Sequence, residues 1–333
     1  MGWKSDQPLS LSSPAVLGAN GFVGLHIVKQ LLEGGCIVRG TVRSASKGEW
    51  IKNKFSAHAD HIEYAIVEDI TKAGAFDEAI KGVDAVVHAA SPVPDNLDGT
   101  QIYVPAVKGA ESIFNSLEKS TTVKRVVLTS SFVAMMEPHE HGFTYDETIW
   151  NDNATKMVKE NPKGPKGLPG ATYYLAAKTD AERIAWNFYN AHKGKLNWDL
   201  IFGPILQDEP NFSNSLVYRN ALLEKAGNLA NDHAGFWIDV RDVAKAHMLS
   251  LQKDKAGGER IFIAGGPYRW QDLRDELSKR NIPGVLTERV PGEDKYDIAD
   301  LSKSADILGM TYRSLGDTLV DSVSAYKKSQ EKK

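Results

Sequence analysis

The chain has 333 residues, a formal net charge of -3 and 42% hydrophobic residues, which suits a globular protein of one large α/β domain or two lobes. Its lysines and arginines are scattered and gather only in a polar tail (Lys327, Lys328, Lys332, Lys333), which argues against a nucleic-acid binder. A single cysteine, Cys36, excludes an intramolecular disulfide and a cysteine metal cluster and suits a reducing compartment.

Residues 1–14 form a polar N-terminal segment without the basic-then-apolar order of a secretory signal. No stretch approaches the ~18 apolar residues of a membrane span. A cytoplasmic protein with no membrane partner, no nucleic-acid partner and no metal site is the expectation. Short apolar runs then alternate with amphipathic ones. Strands are predicted at Cys36–Arg43, Ile62–Val67, Asp84–Ala90, Val123–Ser130 and Leu196–Phe202, and helices at Phe22–Glu33, Ala75–Lys81, Thr100–Lys119 and Thr172–His192. Several strands are nearly continuous in Val, Ile and Ala, as parallel strands covered on both faces are. The alternation implies right-handed crossovers and an α/β, Rossmann-type doubly wound parallel sheet. Glu137–Asn153 and Asn161–Gly170 read as loops. After Gly203 the alternation breaks into a helix at Asp239–Leu251, a strand at Arg260–Ala264 and a helix at Trp270–Arg280. That organisation divides the chain into a sheet domain over 15–203 and a smaller C-terminal substrate lobe over 204–333, interwoven with it.

Three features carry chemistry. The turn Gly18-Ala-Asn-Gly21-Phe-Val-Gly24 opens the first helix, where glycines permit a tight bend and close approach of a pyrophosphate to free helix N–H groups. The next strand ends at Arg43, with Ser44, Ser46 and Lys47 following. An acidic residue there would bind a ribose 2′-hydroxyl, whereas basic residues favour the 2′-phosphate of NADP. Third, Tyr174 and Lys178 stand four residues apart on one helix face. An ammonium beside a phenol lowers its pKa and makes it a usable proton donor to a carbonyl oxygen. Tyr189 and Lys193 share the spacing, but lie roughly 22 Å further along the helix, away from the strand ends where cofactors bind. Tyr189 therefore reads as a packing residue. Ser130 and Ser131 close a strand, and neighbouring residues there face opposite ways, so only one can reach a site.

GANGFVG (18–24), TVRS (41–44), HAASPV (88–93), VKRVVLTSS (123–131), YYLAAKTDAE (173–182), FGP (202–204) and DVRDVAKAH (239–247) together resemble the extended short-chain dehydrogenase/reductases. Within that group the likeness is to the dihydroflavonol reductase-like branch of NADPH-dependent aldehyde, ketone and methylglyoxal reductases. The resemblance implies NADPH held by Gly18, Gly21, Phe22, Val23 and Gly24, with Arg43 and Lys47 on the 2′-phosphate. Asp69 and Ile70 would lie beside the adenine, and Ala89, Ala90 and Ser91 along the cofactor. It implies catalysis by Ser131, Tyr174 and Lys178, with the last two also touching the cofactor, on a small carbonyl substrate in a monomer or homodimer. Alcohol or hydroxysteroid dehydrogenases and sugar epimerases share that triad, and an inactive or NADP-sensing member is the alternative of another class. Phe132, Met135, Phe212, Tyr218 and Phe236 are candidate pocket or core residues.

Two departures from the family pattern carry expectations. Leu17 replaces the family's Thr and Pro14 precedes it, which predicts a short or frayed first strand. Leu196 to Pro204 runs straight through where the family has a Pro-containing loop before Gly-Pro. A shortened loop there predicts a looser nicotinamide end than adenosine end.

Overall fold

The computed structural model describes residues 12–90, 98–140, 142–193, 199–206, 233–286, 288–289 and 295–330. Six parallel strands form its central sheet: β1 (Pro14–Leu17), β2 (Val38–Val42), β3 (Ile62–Ile66), β4 (Ala85–His88), β5 (Arg125–Ser131) and, after a two-residue strand β6 (Thr144–Tyr145), β7 (Asp199–Leu206). Their order is β3-β2-β1-β4-β5-β7, the doubly wound arrangement, with the chain reversing direction across the sheet between β1 and β4.

Each strand is sheathed on both sides. In β1, Val16 joins one core cluster while Ala15 and Leu17 join the other, as the two-residue period of a strand requires. The Val16 side is covered by α1 (Phe22–Glu33) through Ile27, Val28 and Leu31. Residues Val243, Ala244 and Ala246 cover it too, from a helix beginning at Val240. The opposite side is covered by α3 (Tyr103–Glu118), following the short α2 (Ala45–Lys54), and by α5 (Gly170–His192), following α4 (Asp152–Lys159). Tyr189 sits in that cluster with Phe114 and Ala185, in the packing role read from its position.

The first strand is short, as Pro14 predicts, but not frayed. All four residues are buried, and they pair with β2 on one side and β4 on the other. Proline is tolerated because it is the strand's first residue. Just ahead of it, the Ser12 N–H donates to Asp84 Oδ2 at 2.6 Å and the Ser13 N–H to the same carboxylate at 3.1 Å.

Two expected elements are corrected. Ala75–Lys81 is a series of turns rather than a helix. Gly74 and Gly82, both at positive φ (71° and 76°), bracket a segment too short to offset helix nucleation. Arg260–Ala264 is buried but builds no strand. Its backbone is satisfied otherwise, with the Phe262 N–H donating to Glu147 Oε1 at 2.9 Å. The strand lies just beyond, at Gly266–Arg269 (β9), antiparallel to β8 (His233–Trp237). The helices around it are α6 (Val240–Gln252) and α7 (Trp270–Lys279). A two-residue strand β10 (Ile298–Ala299) pairs with β6, and α8 (Leu315–Gln330) closes the chain. The polar 137–153 segment thus holds β6 and the start of α4, neither foreseen in the sequence.

Candidate active site

The glycine turn is seated at the carboxyl end of β1. Gly18 has φ +82°, open to glycine at little cost, and its N–H donates to Thr41 Oγ1 at 3.0 Å. The Gly21 N–H returns to the Gly18 carbonyl at 3.0 Å. A Cβ on Gly18 would come within 2.9 Å of Ala90 Cα, and one on Gly24 within 2.3 Å of the Gly18 carbonyl oxygen. The turn is therefore packed against Ala90, just after β4, and Ala89 donates its N–H to the Leu17 carbonyl at 3.0 Å. Gly21 caps α1 without a side-chain acceptor, and no acidic residue stands in the first turn. First-turn N–H groups thus face out beside a positive helix end, a cradle for a pyrophosphate. The residues fit a dinucleotide.

Arg43 and Lys47 are exposed at the end of β2 and the start of α2. Ser44 caps that helix, accepting from the Lys47 N–H at 3.4 Å. Neither cation has a carboxylate partner among the described residues. Asp69 closes a small turn instead of reaching outward. Its Oδ1 accepts from the Thr71 hydroxyl at 2.7 Å and the Thr71 N–H at 2.9 Å, and these bonds hold its carboxyl below the usual range. Ile70 lies against Gly109. Ser91 lies outside the described residues, as do Phe212 and Tyr218.

At the other end of the site, α5 presents Tyr174, half-buried, and Lys178, 7% exposed. The Lys178 Nζ is 5.8 Å from the centre of the Tyr174 ring. Helix α5 packs against the short helical turn Phe132–Ala134 that follows Ser131. The two serines diverge, as the strand's alternation requires. Ser131 is fully buried, and its Oγ accepts from the Val133 N–H at 3.4 Å. The Ser130 hydroxyl donates to Glu182 Oε2 at 2.5 Å. Ile70, His88, Ala90, Thr129, Ser130, Lys178 and Glu182 line one cavity behind this pair. Phe132, Met135 and Phe236 are core, packed with Tyr145 and Phe262.

His88 and His247 were not singled out in the sequence. Burial, and then the Lys178 charge, push the His88 imidazole down to about 4, so it is neutral beside the ammonium. His247 is likewise lowered to about 4 by burial. Its Nε2 is 2.8 Å from Thr129 Oγ1 and its Nδ1 2.9 Å from the Val243 carbonyl, which fits a ring donating from Nδ1 and accepting at Nε2.

A sequence profile of the NAD dependent epimerase/dehydratase family matches residues 15–265. The chain belongs to that family. Among members of known name, it is 34% identical over 347 residues to the ketoreductase azaE of Aspergillus niger, covering 95% of this chain and 98% of that one. It is 31% identical over 339 residues to the NADPH-dependent methylglyoxal reductase GRE2 of Saccharomyces cerevisiae (93% and 96% covered). Among solved structures, the yeast methylglyoxal/isovaleraldehyde reductase Gre2 complexed with NADPH superposes with a TM-score of 0.81 at 27% identity, over 96% of this chain and 99% of that one. The family is named for epimerases and dehydratases, and both of these relatives carry reductase names.

Proposed function

We propose that this chain reduces an aldehyde or ketone to an alcohol with NADPH. The observation that carries the reading is that Lys178, whose Nζ is 5.8 Å from the Tyr174 ring on the same helix, shares a cavity with His88 and Ala90 at the end of β4 and Thr129 and Ser130 at the end of β5. The end of β4 also abuts the glycine turn, through Ala90 against Gly18 and the Ala89 N–H on the Leu17 carbonyl. The ketoreductase and NADPH-dependent reductase names of full-length relatives support it, as does the likeness to a structure solved with NADPH.

When bound, NADPH supplies a hydride to the carbonyl carbon. This chain's residues do the rest. First-turn N–H groups of α1 hold the pyrophosphate, and Arg43 with Lys47 hold the 2′-phosphate and select against NADH. Asp69 and Ile70 would lie beside the adenine, and Ala89 and Ala90 along the cofactor, with Ser91 assigned there by the family resemblance alone. Ser131 holds the carbonyl oxygen, Tyr174 delivers its phenolic proton to that oxygen, and Lys178 favours the phenolate left behind and binds the ribose. In this reading residues 15–203 form the cofactor domain, and 204–333 mainly shape the carbonyl pocket.

The test is loss of NADPH absorbance against a panel of aldehydes, diketones and keto esters, repeated with NADH. Turnover of at least one class, faster with NADPH, is expected. Tight NADPH binding with no turnover of any carbonyl would instead leave a nucleotide sensor.

A further inference from the structure

Glu182 stands one helical turn after Lys178, so the two side chains share a face of α5 with Cβ atoms about 5–6 Å apart. Both line the same cavity. A carboxylate only 1% exposed, beside an ammonium in a poorly solvated site, is a strong competitor for that ammonium. Yet both Glu182 oxygens are engaged elsewhere. Arg260 donates from Nε to Oε1 at 2.6 Å and from Nη2 to Oε2 at 3.2 Å, and the Ser130 hydroxyl donates to Oε2.

Arg260 is itself fixed from several sides. Its Nη1 donates to the carbonyls of Glu147 and Ile149 at 2.8 and 2.6 Å. Its guanidinium carbon lies 3.9 Å from the centre of the Trp150 ring, over which Arg183 also lies at 4.4 Å. A planar fork held in this way grips a carboxylate in one geometry. The grip comes from a distant part of the chain, since Arg260 and Glu182 are 78 residues apart.

We infer that Arg260 is a positioning residue for Lys178: by occupying Glu182, it keeps that carboxylate from capturing the ammonium that Tyr174 and the cofactor need. The inference rests on the reductase reading for the role of Lys178. It differs from a plain structural pin between α5 and the C-terminal segment. A pin is also mended in part when both partners go, because the costly state is a single buried charge left alone, but what it moves is the melting temperature rather than cofactor affinity in the folded protein. A guard is needed only while the carboxylate it guards is present.

The experiment is therefore a double-variant comparison on the full chain, read well below the melting temperature of each variant by NADPH affinity from fluorescence titration and by turnover. Arg260→Met should weaken NADPH binding and slow turnover, each by about tenfold, within the range of coupling between touching residues. Glu182→Gln alone should stay within about threefold of the unmodified protein. Adding Glu182→Gln to Arg260→Met should restore both readings to about that level. A double variant as impaired as Arg260→Met, or an Arg260→Met protein with unchanged affinity, overturns the inference. If Arg260→Met does not fold, Arg260→Gln removes the charge while keeping donors for the Glu147 and Ile149 carbonyls. The same rescue is expected there, and its absence overturns the inference equally. Failure of the reductase reading looks different: the unmodified protein binds NADPH and reduces nothing. The affinity series still reports on Arg260 in that case.

Discussion

The two ends of the candidate site are built in different ways. At the phosphate end, backbone does the work: glycines without side chains, a free helix N-terminus and one threonine hydroxyl holding the turn. The α5 end is made of side chains instead: the proposed Tyr174, Lys178 and Ser131 and the buried set behind them, drawn from β4, β5, α5 and the segment after Trp237. A backbone site survives changes far away, because its geometry is local. A side-chain site depends on partners brought together from across the chain. Changes at the α5 end should therefore alter rate, with cofactor affinity following only where Lys178 is disturbed, and changes at the phosphate end should alter cofactor affinity and choice.

The largest effect expected is at Tyr174. Tyr174→Phe removes a hydroxyl and keeps the ring, so melting should barely move while the rate falls roughly 10²–10⁴-fold. Tyr189→Phe, made in a packed core position on the same helix, should leave the rate nearly untouched. Turnover with NADPH and one good aldehyde, with melting temperatures as control, decides it. A fully active, folded Tyr174→Phe protein removes the triad assignment.

Next comes the phosphate end. Arg43→Ala should weaken NADPH binding by about 1.5–3 kcal/mol, the worth of a charge-assisted bond, and leave NADH binding unchanged. Paired titrations read the difference. Equal affinities for the two cofactors in the unmodified protein would return Arg43 and Lys47 to the status of solvated charges.

The last effect, on stability rather than on rate or binding, sharpens the contrast in burial. His88 and His247 titrate near 6.5 when unfolded and are lowered to about 4 in the fold. Below pH 6.5 the unfolded chain binds protons that the native chain refuses, so stability falls as pH drops from about 6.5 toward 4. The slope should approach about 1.4 kcal/mol per pH unit for each ring. Denaturant unfolding between pH 7 and pH 5 measures it, and His88→Asn should remove one ring's share. A stability flat across that range would show that neither imidazole is kept neutral.

This contrast also explains what the sequence revealed. The parallel sheet was legible because Val, Ile and Ala runs announce strands covered on both faces, and α1 was bounded by its glycine turn. The Tyr174–Lys178 pair was legible because helical spacing is fixed. Ala75–Lys81 misled because its apolar residues follow a helical period while Gly74 and Gly82 set turns. Arg260–Ala264 misled because burial alone does not make a ladder. Glu182 and Arg260 stayed hidden for a different reason. Glu182 is simply an acidic residue on a helix until Arg260, 78 residues later, is seen to reach it, and spacing along the chain cannot announce that meeting. From Asp199 the run is continuous: β7 passes through Gly203 and Pro204 to Leu206 and pairs with β5, with an irregularity between Thr129 and Ser131, while Leu196–Trp198 lie outside the described residues.

The short first strand has a consequence for how the chain is made. β1 lies at the centre of the finished sheet, yet it leaves the ribosome before the two strands that flank it. Its β4 neighbour follows far behind, with Asp84, which receives the Ser13 N–H, 71 residues after Ser13. At ~5–20 residues per second, that leaves a central strand with one side uncovered for several seconds. A long, flat apolar strand in that position would invite pairing with other nascent chains. Four residues headed by a proline offer little to pair with, since proline withholds a donor and a short segment carries few. Restoring a longer, proline-free strand should thus lower soluble yield during synthesis even where the finished fold gains stability.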